Sequence, residues 1–220
     1  DSFSIYTTQE PSKYRSLNIS FQDPMINDSP YLVGASIFYS FRGSSTNYYF
    51  PLDFTVGGAV ASFGRRLEWP DDFFRVMWSA KFMQKEYEGS QSDIDNYIGG
   101  LQKTRGISLS QVLSRDSRNR AEFPTNGSTF ILENTYSGGF LGGNENFQKH
   151  MLTLDWFTPT FSKFILYNSV KLGVIKTIDV GDDIQSFVPF DERFIMGGNG
   201  IPYGNALRGY PDNALSLIHI

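Results

Sequence analysis

The side chains that most often carry out catalysis are scarce in this chain. Its 220 residues include no Cys and two His, His150 and His219. The lack of Cys excludes a disulfide framework, a thiolate metal site and a Cys nucleophile. Acidic pairs occur at Asp71-Asp72 and Asp182-Asp183, but both stand in segments predicted to be solvated turns. We therefore predict no enzymatic activity, no cofactor and no metal site.

The charge balance argues against nucleic acid as a partner. Lys and Arg total 19 and Asp and Glu total 23, which gives a net charge of −4. A nucleic-acid binder normally carries a basic face. We predict no nucleic-acid partner.

A single cation in a long Gly-rich segment is the most unusual polar feature. Residues 194–210 read FIMGGNGIPYGNALRGY, and their one charge is Arg208. A connection of this length is usually either functional or disordered. One interpretation is a flexible surface loop. The other is a loop that folds into a polar lumen with Arg208 as its fixed point, because carboxylates hold a guanidinium through two parallel hydrogen bonds.

Apolar and polar residues alternate with a period of two over most of the chain, as in β-strands with one apolar face. In the clearest segment we expect one set of side chains to face lipid, Phe74, Val76, Trp78, Ala80 and Phe82, and the other to face a lumen, Arg75, Ser79, Lys81 and Lys85. About nine such segments follow one another, at residues 3–8, 15–22, 31–42, 52–67, 73–87, 105–115, 128–137, 148–158 and 162–176.

The lengths of these segments favour a membrane-spanning barrel. Several are about twice as long as the 5–6 residues of an ordinary strand, and about 9–11 tilted residues cross the hydrocarbon layer. A soluble β-sandwich or a lipocalin-like barrel is the alternative.

The connections also favour the membrane, because short turns and long loops alternate as in outer-membrane barrels. The turns at 23–30, 68–72, 123–127 and 158–160 are short, and the loops at 43–51, 89–104, 138–148 and 177–212 are longer. Trp69, Trp78 and Trp156 are expected in the aromatic girdles at the membrane interface.

Four motifs in register resemble those of one family. They are LNISFQDP at 17–24, FGRRLEWPDDF at 63–73, RDSRNRAEFPTNGS at 115–128, and Arg193-Phe194 followed by Gly197-Gly198 and Leu207-Arg208-Gly209-Tyr210. Together they are similar to BamA-like barrel domains of the bacterial surface antigen superfamily, which comprises outer-membrane insertases and transporters.

The resemblance implies an all-β, antiparallel, up-and-down transmembrane barrel of sixteen strands. Residues 1–177 would supply about strands three to eleven, and 178–214 the extracellular loop that folds into the lumen. The loop motif, Gly197, Gly198, Leu207, Arg208, Gly209 and Tyr210, would be the functional segment, with the acidic partners of Arg208 on later strands.

The same resemblance implies that this chain is an incomplete, open barrel. The periplasmic POTRA repeats and the closing strands would be missing, so the first and last strands should be open edges, with 17–21 far from 164–174. Residues 215–220 fit no continuation of the family and are expected to be a non-native tail.

The function implied is the folding and insertion of other barrel proteins in the outer membrane of a Gram-negative bacterium. The implied partners are membrane lipid, unfolded barrel clients and, through the missing N-terminal region, accessory lipoproteins. Two alternatives stay open, a secretion or translocation transporter of the same superfamily (two-partner or TamA-like) and a passive porin-like barrel.

Overall fold

Nine antiparallel strands form one sheet in the order in which they occur along the chain. The computed structural model describes residues 2–10, 14–44, 51–98, 100–180, 188–189, 192–197, 209–210 and 215–217. The strands are β1 (Ser2–Glu10), β2 (Tyr14–Asp23), β3 (Tyr31–Arg42), β4 (Asp53–Arg66), β5 (Phe74–Glu88), β6 (Lys103–Asp116), β7 (Gly127–Ser137), β8 (Phe147–Pro159) and β9 (Ile165–Thr177). The predicted all-β, up-and-down architecture is confirmed.

The sheet is open, as predicted. Strands β1 and β9 are its two edges, and each strand between them pairs with the strands before and after it in the chain. Strand lengths run from 9 residues in β1 to 15 in β5, the range that spans a bilayer rather than the range of soluble sheets.

The two faces of the sheet differ in the way that the alternation predicts. On the outer face the side chains of Ile37 and Leu172 are 65% and 60% exposed. Trp78 and Phe82 are exposed on the same face. On the inner face the side chain of Lys85 is fully buried under a loop. A sheet that exposes its apolar face and buries a charge on the other is suited to lipid outside and a polar lumen inside.

The predicted lipid-facing set needs one correction. Val76 lies on the outer face by register, opposite Arg65 and Leu113, but only 6% of it is exposed. Phe74 is half-buried, and the guanidinium of Arg115 lies 5.8 Å from its ring centroid. Both residues stand at the turn end of β5, where large neighbours cover the outer surface. The alternation therefore predicts correctly which face of the sheet these side chains occupy, but not how much of each side chain is exposed.

The short turn at 68–72 packs against the end of β6. Arg115 Nε donates to Asp71 Oδ2 at 2.8 Å, and the same guanidinium lies 5.5 Å from the ring centroid of Phe73. These residues come from two separate motifs of the sequence, 63–73 and 115–128. The contact therefore joins these two motifs at one end of the sheet.

The long connection between β5 and β6 contains a helix, α1 (Gln91–Ile98), that the sequence analysis treated as loop. The Ser90 hydroxyl accepts a hydrogen bond from the Asp93 amide at 3.2 Å and so caps the helix. Ile94 and Ile98, one helical turn apart, are buried with Leu52 and Tyr87. The Ser-x-x-Asp cap and the four-residue spacing were the available signals. No helix in the described part of the chain is long and apolar enough to span a membrane.

Candidate functional site

The connection that follows β9 returns to the inner face of the sheet. Its described part includes Glu192 and a short strand, β10 (Phe194–Met196). Pro189 accepts a hydrogen bond from the Glu192 amide at 3.0 Å, and the Val188 carbonyl accepts one from Arg193 Nε at 3.0 Å. These bonds tie Glu192 and Arg193 to Pro189 and Val188, next to the point where Glu192 and Phe194 contact the wall.

Glu192 is held by lysines from two non-adjacent strands. Lys149 Nζ on β8 donates to Glu192 Oε2 at 3.0 Å and to its backbone carbonyl at 2.9 Å. Lys81 Nζ on β5 lies 3.9 Å from Glu192 Oε1. The loop carboxylate thus bridges strands that are separated in the sheet by β6 and β7.

The wall supplies these lysines through simple strand geometry. Lys81 and Lys149 occupy inner-face positions, where they are flanked in register by Ser108 and Thr135 respectively. Small polar neighbours leave room for the long side chains to extend across the inner face to Glu192. A half-buried carboxylate with two cationic partners is stabilised more than an exposed ion pair, because water screens it less.

Phe194 adds an apolar contact to the same point. It packs on a buried cluster of Phe147, Ile175 and Val188, and Lys149 Nζ lies 5.4 Å from its ring centroid. The ring lies on Gly173, where an added Cβ would come within 2.5 Å of it. A side chain at 173 would therefore displace the ring. We call Lys81, Lys149, Gly173, Glu192 and Phe194 the inner-wall anchor.

A second loop, between β7 and β8, is fixed to the same wall. Glu145 Oε1 lies 3.2 Å from Lys85 Nζ and accepts a hydrogen bond from Thr104 Oγ1 at 2.7 Å. All three side chains are buried. The neighbouring Asn146 accepts a hydrogen bond from the Ile178 amide through its carbonyl, at 3.0 Å. This bond links the second loop to the start of the long connection.

The contacts of this arrangement are ion pairs, hydrogen bonds and apolar packing. Cations on β5 and β8 hold carboxylates from two loops. A small cavity of about 110 Å³ beside Glu192 is lined by Glu133, Thr135, Lys149, Met151 and Glu192. The arrangement fixes loop backbone to a rigid wall.

The predicted motif residues are only partly within the described chain. Gly197 is buried with a φ of 149°, and Gly209 has a φ of 87°, backbone conformations that favour glycine. Tyr210 is exposed. Gly198, Leu207 and Arg208 lie outside the described residues, so the anchoring role of Arg208 stays a prediction.

The long connection also has secondary structure that the sequence analysis did not expect. A short strand, β11 (Leu215–Leu217), pairs antiparallel with β10 through Phe194–Leu217 and Met196–Leu215. Residues 215–217 belong to the segment that was expected to be a non-native tail, and here their backbone pairs with the anchored segment. The pairing could not be predicted from the short sequence Leu-Ser-Leu.

Sequence reasoning missed Glu192, Lys149 and Glu145 as site residues. Glu192 directly precedes Arg193-Phe194, which is part of the motif in the sequence, but its partner Lys149 is 43 positions away. The inward orientation of Lys81 and Lys85 was predicted and is confirmed.

Comparison with known proteins agrees with this fold. A family model described as the Omp85 superfamily domain matches residues 1–218. The outer membrane protein assembly factor BamA of Nitratidesulfovibrio vulgaris is 27% identical over 213 residues, which cover 93% of this chain and 24% of that protein. This chain therefore spans about a quarter of the length of that curated relative.

Among solved structures, the crystal structure of BamA from Haemophilus ducreyi lacking POTRA domains 1–3 superposes with a TM-score of 0.75. The match is 16% identical and covers 97% of this chain and 40% of that one. At this identity the likeness concerns the fold.

Proposed function

Because the chain belongs to the Omp85 superfamily, we propose that it is part of the transmembrane barrel of an assembly factor, which folds other barrel proteins and inserts them into the outer membrane. The outer membrane of a Gram-negative bacterium is the location of the chain. The observation that carries the proposal is the return of the long connection to the inner wall, where Glu192 and Phe194 are held.

The physical task of such a factor is to lower the cost of unpaired strands in lipid. Each backbone N–H or C=O left without a partner in the hydrocarbon layer costs several kcal/mol. A protein edge that offers hydrogen-bonding partners to an incoming strand removes that cost without covalent chemistry. We infer that the protein carries out no enzymatic reaction.

Within this task, the described chain supplies a stable wall and an internal loop. The sheet is stabilised by long strands that, from β2 to β8, have a paired neighbour on both sides, and the inner-wall anchor ties the loop to β5, β8 and β9. We propose that Leu207, Arg208 and Gly209 form a further fixed point of the same loop, since a guanidinium suits carboxylate partners on a barrel wall. Gly197, Gly198 and Tyr210 would shape the backbone around it.

The proposed partners follow from the same task. They are the lipid around the outer face, unfolded barrel proteins as clients, and accessory lipoproteins that bind outside the region described here. The relative from Nitratidesulfovibrio vulgaris is named as an assembly factor, which supports the first two.

Depletion of the full-length protein in its own host tests the proposal. We expect several unrelated outer-membrane barrels to disappear together from the membrane fraction. Loss of one exported protein with normal barrel levels would favour a secretion transporter instead. A normal outer-membrane profile would favour the passive barrel.

A further inference from the structure

Three polar side chains form one row across the outer face of β6, β7 and β8. Gln111, Asn134 and His150 are direct register partners. The next row towards the short turns is entirely apolar, and consists of Leu113, Leu132 and Leu152. Exposing a polar group to lipid costs free energy unless the group is hydrogen-bonded. The side chains of this row therefore need hydrogen-bond partners.

The three side chains satisfy one another only in part. Asn134 Nδ2 donates to Gln111 Oε1 at 3.5 Å, and this orientation leaves Asn134 Oδ1 to accept from His150 Nδ1 at 2.8 Å. The hydrogen bonds therefore run in one direction along the row. Neither Gln111 Nε2 nor His150 Nε2 has a hydrogen-bond partner among the described residues.

The row lines a cleft of about 300 Å³ on the outer surface. Trp78, Leu109, Tyr136 and Gln148 complete the cleft, and Lys176 stands beside it as the register partner of Gln148. Aromatic rings next to amides and a cation are typical of the level at which lipid headgroups meet the hydrocarbon layer.

The outer face of strands β6–β9 carries positive charge. By register, its charged positions include Arg105 and Lys176, which are both exposed, and no carboxylate. Lys103 lies on the same face, but it forms an ion pair with Glu86 of β5 at 2.7 Å. Arg105 and Lys176 therefore favour an anionic ligand.

We propose that this cleft binds the phosphate group of a membrane lipid, with Lys176 as its cationic contact, Gln111 as a hydrogen-bond donor and His150 as a further polar contact. Lipid is the solvent that reaches the outer face of a membrane barrel, and a phosphate supplies the negative charge and the acceptor oxygens that the cleft lacks. The proposal rests on the membrane location of the sheet and not on the assembly activity, so either can fail alone.

A fluorescence titration of the full-length protein tests the proposal, because Trp78 lines the cleft. Trp69→Phe and Trp156→Phe leave Trp78 as the reporter within this chain, and any further Trp of the full-length protein is replaced likewise. The protein in neutral detergent is titrated with diheptanoyl phosphatidic acid, with diheptanoylglycerol and with inorganic phosphate. We expect a saturable change with the phosphatidic acid alone.

Variants then distinguish binding in the cleft from binding elsewhere on the outer face. His150→Leu with Lys176→Gln should weaken the apparent affinity by about tenfold or more, the effect of losing charged hydrogen bonds. Asn168→Leu, on the same face but outside the cleft, should bind as the parent does. Folding is checked by the shift of the unheated band on a gel, and if the double variant does not fold, Lys176→Gln alone should weaken binding measurably.

Three results would overturn the proposal. They are equal titration by diheptanoylglycerol, saturation by inorganic phosphate alone, and unchanged affinity in folded variants of His150 and Lys176. The first would indicate a non-specific apolar surface, and the second a site for a soluble anion.

Discussion

At the scale of single residues, the docking of the long connection depends on a carboxylate that two lysines share. Glu192 contacts Lys149 at 3.0 Å and Lys81 at 3.9 Å. All three side chains are partly exposed to water. The interaction is therefore stronger than that of an exposed ion pair and weaker than that of a fully buried one.

Glu192→Gln should therefore loosen the loop without unfolding the sheet. The amide keeps the size of the side chain but loses its charge, and we expect a loss of about 1–3 kcal/mol in the stability of the docked state. Limited proteolysis of the full-length protein in detergent measures the effect as faster cleavage near residue 192. Glu133→Gln is the matched control, because Glu133 lies on the same inner face and makes no ion pair among the described residues. Equal cleavage of the two variants would show that Glu192 does not anchor the loop.

Gly173 offers an independent test of the same docking. An added Cβ would come within 2.5 Å of the Phe194 ring, so Gly173→Ala should displace the ring at a cost of about 1–3 kcal/mol. At Gly64, also on the inner face, an added Cβ meets its nearest atoms at 3.4 Å or more, and Gly64→Ala should be tolerated. Thermal unfolding of both variants in detergent distinguishes them. Equal unfolding temperatures would show that Phe194 does not require the glycine.

At the scale of elements, the loop between β7 and β8 depends on one buried ion pair. Lys85 and Glu145 are both buried, their charged atoms lie 3.2 Å apart, and Thr104 donates to the same carboxylate. Such a pair gives a fold little net stability, but breaking it leaves a buried charge uncompensated.

Glu145→Gln should accordingly destabilise the protein by about 3–5 kcal/mol. The double variant Lys85→Met with Glu145→Gln should recover part of that loss, because it removes both buried charges. Chemical denaturation in detergent gives the free energy of unfolding of the parent, of Glu145→Gln, of Lys85→Met and of the double variant. If the double variant is as unstable as the sum of the single variants, the two residues do not act as a pair.

At the scale of the whole molecule, the environment of each face decides which substitutions the sheet tolerates. Ala80 is exposed on the outer face, and the adjacent Ser79 is half-buried on the inner face. An Arg on the lipid face near the bilayer midplane costs about 2–4 kcal/mol, whereas a polar lumen accepts the charge.

Ala80→Arg should thus reduce membrane assembly of the full-length protein more than Ser79→Arg. The measurement is the folded fraction in the outer-membrane fraction of cells, read from heat-modifiable gel mobility. Since Val76 is buried in spite of its outer position, it is unsuitable for this test. The reverse order of the two variants would contradict the assignment of the faces.

Much of the sheet could be predicted from the sequence, because the information is local. Strand β5 was predicted at 73–87 and runs from Phe74 to Glu88, and β8 was predicted at 148–158 and runs from Phe147 to Pro159. Side chains alternate between faces along every strand whatever the neighbouring strands are. The alternation therefore determined the strands and their faces, and Pro- and Asp-rich segments determined the short turns.

Tertiary structure decided which loops meet the wall and where. Glu192 and Lys149 are 43 positions apart, and Lys81 is farther away still. Their contact depends on the register of β5 through β8 and on the hydrogen bonds that hold Glu192 and Arg193 before β10. Likewise, the burial of Val76 depends on the neighbours that adjacent strands place around it. Periodicity records which face a residue occupies, and only the folded chain determines what covers that face.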